Sequence, residues 1–448
     1  MKSDNFATQN ETIMKRQKAI LFIICHLVYG TAGAQDWTAR QCMQYAVEHN
    51  HVVKRAELEL DNYKAAKVTV VGSFLPSVSG STGVQYNFGR AIDPETNGYT
   101  DVSTFYNGYS LSASLPVFDG FNRLNALKAA KASVLMGHNA LREQQDQTAL
   151  ATLQAFANAA YYEGMVRMAE EKVEEATLLL KQTQVMEEVG RKSAADVAQV
   201  ESQKAEADYE LTRQQNLYAS ALLELKKEMA FPINDSLTPN PIPIREEGRI
   251  TTPLSSRKGV GGEAVAYYQM QASKYEWRQA RAALLPSLSL SAGLSTTYYK
   301  TLHSQTSSFS SQFKNNMGEY VGATLSIPVF NRLQTVTKIR RAKNNYRIAC
   351  EAYEQKQIEL EKLSREAWQD WQGFLKQMAQ MEKKVEADSL AYQLTRRQYE
   401  EGLSTAIDLH TTSTQLLQSR ATLLQCQLMA MLKHELVRYY QGETIWTE

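Results

Sequence analysis

Ser114-Leu115-Pro116-Val117-Phe118 recurs 212 residues later as Ser326-Ile327-Pro328-Val329-Phe330. This pair governs the reading of the chain, because other motifs recur in the same order at nearly the same distance. Leu75-Pro76-Ser77 returns as Leu285-Pro286-Ser287, and Asn122-Arg123-Leu124 returns as Asn331-Arg332-Leu333. Gly190-Arg191-Lys192-Ser193-Ala194-Ala195-Asp196 returns as Gly402-Leu403-Ser404-Thr405-Ala406-Ile407-Asp408. Four ordered matches make the chain one unit repeated twice, over 35–230 and 263–448. The segment 231–262 between them carries five of the ten prolines and reads as an inter-repeat linker.

Each copy begins its repeated motifs with alternating strands, at about 77–89 and 105–117 and again at about 287–299 and 319–330. Val78, Thr82, Val84 and Tyr86 share one face; Ser77, Ser79, Ser81 and Gln85 share the other. In the second copy Leu288, Leu290, Ala292 and Leu294 oppose Ser287, Ser289, Ser291 and Gly293. Period two with one apolar face is a half-buried strand signal. The other face is small, hydroxylated and nearly free of charge, which suits water on one side and lipid on the other. A soluble sandwich would satisfy the alternation alone. The turn-rich stretches 90–104 and 300–317 read as hairpin loops. If the strands cross a membrane the chain must oligomerise, since the smallest bacterial barrels need about eight strands and open edges are not tolerated in lipid.

The remainder reads as helix. No proline lies from Val117 to Phe231 or from Val329 to Glu448, and proline costs a helix interior about 3 kcal/mol. Helices are expected at 39–72, 120–189 and 193–229, then at 263–284, 332–401 and 404–441. The two longest would each span about 105 Å. Shorter segments, 51–72 with 193–229, would together span about 88 Å, so one long helix could run beside two stacked shorter ones. Leu409, Leu416, Leu423 and Ala430 recur every seven residues, with Leu417, Leu424 and Met431 alongside. That is coiled-coil patterning, doubled for a helix with two neighbours.

Residues 1–34 read as an export signal. Lys15, Arg16 and Lys18 precede the apolar run 19–28, and Ala32-Gly33-Ala34 precedes Gln35, predicting cleavage between Ala34 and Gln35. Met14 offers a second start. Cys25 follows Ile24, which does not suit a lipoprotein site. Cys42, Cys350 and Cys426 are scattered and odd in number, so no disulfide framework follows.

A balance of 49 Lys+Arg against 48 Asp+Glu argues against a generic nucleic-acid binder. Gly259-Val260-Gly261-Gly262 lacks the Lys-Ser/Thr of a phosphate loop. His49 and His51 sit two apart, which is poor geometry for a shared metal. Trp368 and Trp371 suit helix packing better than a ligand. No catalytic residue, metal or cofactor is expected.

The whole pattern resembles the TolC family of outer-membrane efflux proteins. The carriers are Leu75-Pro76-Ser77, Leu115-Pro116-Val117-Phe118-Asp119-Gly120 and their second copies. The family's helix-tip pattern, Tyr-x-x-Gly-x-x-(Ser/Thr)-x-x-Asp, is similar to Tyr399 through Gly402 and Thr405 to Asp408. The first tip, Val189 to Asp196, lacks the Tyr.

The resemblance implies a mostly α protein with a membrane β-barrel portion. It would be a TolC-like homotrimer, with four strands per chain forming a shared 12-stranded barrel in outer-membrane lipid. A long periplasmic α-helical coiled-coil barrel would continue it. The implied function is the outer-membrane channel of a tripartite efflux or type I secretion system, with a periplasmic adaptor and an inner-membrane pump as partners. The adaptor would dock at the tip turns, Val189 to Ser193 and Gly402 to Thr405. Asp196, Asp408 and Tyr399 would form the pore constriction. Ser404 stands where the family often has a basic residue; Arg191 or Lys192 could supply that charge. Capping of the returning helices is an equal reading for both aspartates. The competing function is an exported elongated coiled-coil surface protein without a pore, which would leave the apolar strand faces nothing to bury against.

Overall fold

The structure, a computed structural model, describes residues 36–92, 98–100, 103–240, 262–301 and 307–446. The export signal, its Ala34–Gln35 junction and 241–261 of the inter-repeat segment lie outside the described residues. The chain forms two compact units. One combines the described residues up to Val53 with those of Gln145–Ser255 and Ser364–Glu448; the other combines Lys54–Gln144 with those of Ser256–Leu363.

The second unit is organised by an antiparallel sheet. Strands β2 (Ser77–Asn87), β5 (Thr104–Phe118), β7 (Ser287–Thr301) and β8 (Gly318–Ser326) lie in the order β2-β5-β7-β8. The central pairing, β5 on β7, joins the two repeats, with Leu111 opposite Leu294 and Ser112 opposite Gly293. Side-chain alternation therefore stays in phase across all four strands. One face is a hydroxyl surface: Ser79 bonds Ser112 at 3.0 Å and Ser81 bonds Ser110 at 2.7 Å. The other face carries Val78, Leu111, Leu290, Val321 and Leu325. An aromatic row crosses it near the loop end, through Tyr86–Phe105 (4.9 Å), Phe105–Tyr298 (6.1 Å) and Tyr109–Phe313 (5.6 Å).

Two departures from the sequence expectation occur here. The 300–317 stretch holds a short helix, α6 (Phe309–Asn315). It occupies the edge of β7 above the start of β8: the Gln312 amide accepts from the Tyr299 N–H (2.9 Å) and donates to its carbonyl (2.8 Å), replacing a strand neighbour. The last strand ends at Ser326, short of the expected 330. Pro328 has no N–H to give a ladder. Pro116 is accommodated in the first copy by a register shift between Pro116 and Phe118. The 90–104 loop contains a small two-stranded pair, β3 (Ala91–Ile92) with β4 (Tyr99–Thr100).

Helices are named in chain order: α1 (Ala39–His49), α2 (His51–Gly72), α3 (Asn122–Glu188), α4 (Ala194–Met229), α5 (Glu263–Ala282), α6 above, α7 (Gln334–Glu400) and α8 (Ala406–Tyr440). The expected 39–72 helix is broken. Asn50 is extended (φ −64, ψ 133); its side chain donates to the Glu228 carbonyl at 2.8 Å and accepts from the Val52 N–H at 2.8 Å. Both α3 and α7 run 67 residues, about 100 Å each.

In the first unit, small residues let helices approach closely. Cys42, Ala46, Ala155, Phe156, Ala159, Leu225 and Met229 form a core, with Trp37, Tyr45 and Phe231 packed against it. β1 (Asp36–Trp37) pairs in parallel with β6 (Thr238–Pro239), so residues 231–240 of the expected linker are folded. Leu409, Ser413, Leu416, Cys426 and Ala430 are the buried stripe of α8. Trp371 packs on Trp368 and His434, in keeping with a packing role. No disulfide joins the described cysteines, and burial pushes the Cys42 thiol up to about 12.

Gly120 makes the strand-to-helix turn of the first copy; in the second, which has no glycine there, Arg332 and Leu333 take the positive φ. Gly120 has φ +65, and an added Cβ would lie 2.6 Å from the Ala282 carbonyl oxygen and 2.8 Å from Leu285 Cβ. Asp119 accepts from the Arg123 backbone N–H (3.0 Å) and Nε (2.9 Å), and Arg123 donates to the Ser73 carbonyl (3.1 Å). Strand, turn and helix are thereby knitted together. Gly120→Ala is expected to destabilise by more than the roughly 1–2 kcal/mol of left-handed strain alone. Gly89→Ala, also at positive φ but in open space, should show only that strain. Thermal unfolding of both variants in detergent checks the difference.

Candidate functional site

Two long helices each reverse through a turn of the same construction. At the end of α3, the Gly190 N–H donates to the Glu187 carbonyl (2.9 Å) and the Arg191 N–H to Met186 (2.8 Å). At the end of α7, Gly402 donates to Tyr399 (3.0 Å) and Leu403 to Gln398 (2.7 Å). This crossed pair is the Schellman closure, which needs a left-handed residue. Gly190 (φ 76) and Gly402 (φ 78) provide it.

Three residues later the returning helices are capped. Ser193 (φ −95, ψ 159) opens α4 and Thr405 (φ −94, ψ 160) opens α8, each within a full capping box. Asp196 accepts from the Ser193 N–H (2.9 Å) and hydroxyl (2.8 Å). Asp408 accepts from the Thr405 hydroxyl (2.6 Å) and N–H (3.1 Å), and from the Ser404 hydroxyl (3.3 Å). The capping reading of both aspartates is thus realised within the chain. It sets their charge state. The Ser193 backbone and hydroxyl bonds hold Asp196 below the usual carboxylate value, helped by Lys192. The Thr405 hydroxyl and backbone bonds hold Asp408 low, helped by Ser404.

The two turns are packed together. Tyr399 is 1% exposed and lies with Val200, Ala406 and Leu409 in a small core flanked by Leu179, Leu180 and Tyr392. Its hydroxyl shares a 2.9 Å hydrogen bond with Thr183. Lys192 of the first turn places Nζ 4.3 Å from the Tyr399 ring centroid, a cation–π distance. Burial pushes the Tyr399 phenol above its ordinary value; the Asp196 charge adds to this and the Thr183 bond opposes it. Gln203 Nε2 donates to the Ala406 carbonyl at 3.3 Å.

The structure therefore brings Lys192, Asp196 and Tyr399 together and turns Asp408 back onto its own cap. Of the two basic residues of the first turn, Lys192 is engaged and Arg191 is exposed. Val189, Leu403 and Ile407 leave large apolar surface in solvent at the turns (66%, 75% and 62% exposed). Sequence reasoning missed Thr183. Its signal was faint: a small polar residue inside a 67-residue helix, distinguishable only by its complete burial.

Among the described residues no helix is long and apolar enough to cross a membrane, and no group of three or more His, Cys, Asp or Glu could hold a metal. The sheet with one hydroxyl and one apolar face, and the capped turns at Gly190 and Gly402, are the features that the comparisons with known proteins bear on. The family described as outer membrane efflux protein matches residues 42–230 and 264–431, and the chain belongs to it. The efflux protein BepC of Brucella suis is 21% identical over 359 residues, covering 79% of this chain and 74% of that protein. The outer membrane protein VceC of Vibrio cholerae superposes with a TM-score of 0.79 at 14% identity, covering 91% of this chain and 96% of that one. The channel CmeC of Campylobacter jejuni gives 0.79 at 16% identity, covering 92% and 87%. The fold is TolC-like, and the protein is an outer-membrane efflux channel whose helices extend into the periplasm.

Two predictions concern the turns. Thr405→Ala should weaken the second turn by about 1 kcal/mol, seen as faster amide exchange at 405–409. Because Asp196 and Asp408 are held low, the stability that they lend is complete above the ordinary value of 3.8. It is lost as pH falls through the lowered value. Amide exchange at the turns should accelerate only below about pH 4, and Asp408→Asn should remove that acid dependence at the second turn.

Proposed function

We propose that three copies of this chain assemble into one duct. The observation that carries the reading is a four-stranded sheet with an apolar face whose edge strands, β2 and β8, pair with no further strand among the described residues. Edge joined to edge around a threefold axis closes twelve strands and leaves no open edge in lipid. The hydroxyl face then lines the water path. A periplasmic adaptor docks on the exposed turn surfaces at Val189–Ser193 and Gly402–Thr405. An inner-membrane pump supplies the energy, and this chain conducts passively, making and breaking no bond. Drugs, metal ions, amphiphiles and polypeptides all suit such a duct, because selection belongs to the pump. Cleavage between Ala34 and Gln35 precedes assembly, and the two repeats, 35–230 and 263–448, contribute equally.

The turns act as the gate. Lys192 on Tyr399, with the Thr183 bond behind it, holds the first turn against the second. Asp196 and Asp408 place six ionised carboxylates per trimer near the entrance, favouring cations. The test is single-channel recording in planar bilayers from detergent-extracted protein whose mass has been measured. A trimer with a small cation-selective conductance is expected. Lys192→Gln and Tyr399→Phe should each raise conductance or open probability, and Asp408→Asn should reduce cation selectivity without altering the mass. A lipid-indifferent monomer would remove the duct; unchanged conductance in all three variants would remove the gate while leaving the duct.

A further inference from the structure

The near-neutral chain hides a segregated belt of positive charge. Residues 331–350 contain six cations (Arg332, Lys338, Arg340, Arg341, Lys343 and Arg347) and no acid. None of the six forms an ion pair among the described residues, whereas several cations further along α7 are paired, as Lys356 is with Glu359 at 3.2 Å and Lys384 with Asp388 at 2.6 Å. Arg332, Gln334, Thr337, Lys338, Arg341 and Asn345 line one groove along α7, of about 610 Å³. Arg332 comes six residues after Ser326, the last residue of β8, and Lys343 lies within about 14 Å of the helix start. The neighbouring α5 adds Lys274, Arg278 and Arg281, with Glu276 as its acid in that stretch. Its Trp277 stacks on Tyr346 of α7 at 5.8 Å, with Arg281 and Lys343 about its ring at 5.9 and 6.0 Å.

Aromatic rings set among lysines and arginines at the end of a membrane-spanning sheet are the chemistry of a lipid–water boundary. We infer that this belt binds the anionic phospholipid headgroups of the periplasmic leaflet. The inference rests on the barrel reading above. In that assembly the β8 edge meets the β2 edge of a second copy, so α7 lies beside the end of the neighbour's α2. That end carries Lys64 and Lys67, and its acid, Asp61, is already paired with Lys64 at 2.9 Å. Over its last dozen residues the neighbour's α2 therefore brings no spare negative charge, Glu57 and Glu59 lying further from the sheet, and the counter-charge comes from outside the protein. Leu333, and Val336 on the helix face of Arg340 and Lys343, are exposed and lie where acyl chains begin. A water-filled lumen would not favour them.

The test uses the detergent-solubilised full chain, with its trimer mass measured first so that loss of the assembly is not mistaken for loss of lipid binding. Phosphatidylglycerol and phosphatidylcholine are titrated separately, and retained lipid per trimer is read by mass spectrometry, with thermal stability alongside. Preferential retention of phosphatidylglycerol is expected, abolished in 1 M salt by screening. Inorganic phosphate should not reproduce the stabilisation. The double variant K338Q/R341Q should bind phosphatidylglycerol weaker by about fivefold per cation removed, while keeping its mass and its stability in phosphatidylcholine. Equal retention of the two lipids by the wild-type trimer would overturn the inference. So would unchanged retention in the variant together with a shifted reversal potential, which would place the belt in the lumen.

Discussion

The structure depends on the two backbone edges that the sheet leaves unpaired. Four strands in register bury their hydrogen-bonding groups between β2 and β5, β5 and β7, and β7 and β8, but not at the outer sides of β2 and β8. In water such edges invite uncontrolled pairing; in lipid each unsatisfied group costs several kcal/mol. In lipid, a sheet with open edges calls for further strands, which the proposed trimer supplies. Duplication resolves the conflict economically. One αββαα repeat, present twice, makes a protomer whose central strand pair, β5 on β7, is itself a junction between copies. In the proposed trimer, the join between protomers repeats the same geometry between separate chains.

Much of this was legible in the residues. The alternating Ser and aliphatic positions placed all four strands because period two survives any tertiary context. Proline-free tracts located the long helices, and their ends fell within two residues of Glu188 and Glu400 because Gly190 and Gly402 carry local stop signals. Less legible were features made by residues far apart. Nothing near Asn50 announced that its side chain would reach the Glu228 carbonyl and break a helix. Gln312 replaced a strand partner for Tyr299 through an amide whose target could not be read from its neighbours. Pro328 stops its strand whereas Pro116, in the matching place, is absorbed by a bulge; the two motifs look alike and differ in what pairs with them.

At the candidate site the same division holds. Gly, Ser/Thr and Asp at fixed spacing are local chemistry, so the turns were readable in both copies. The roles of the aspartates were split between cap and constriction, and the cap is what the chain itself builds. Lys192 stood out as a possible substitute for the basic residue missing at Ser404, but only the fold puts it on the Tyr399 ring. Thr183 required the packing of α3 against α7, which no spacing within either helix encodes.

The turns also have a mechanical consequence. Every backbone group freed by the reversals at Gly190 and Gly402 that the Schellman closures and capping boxes engage is satisfied within about a dozen residues. Nothing in that local network reaches across to the other turn. The links between turns are made by side chains: the apolar core around Tyr399, a lysine on its ring, one hydroxyl pair and one amide on a carbonyl. Each reversal is therefore closed within itself, and what joins it to the other is side-chain packing. Separating the two ends would break side-chain contacts and none of the backbone bonds that close the turns.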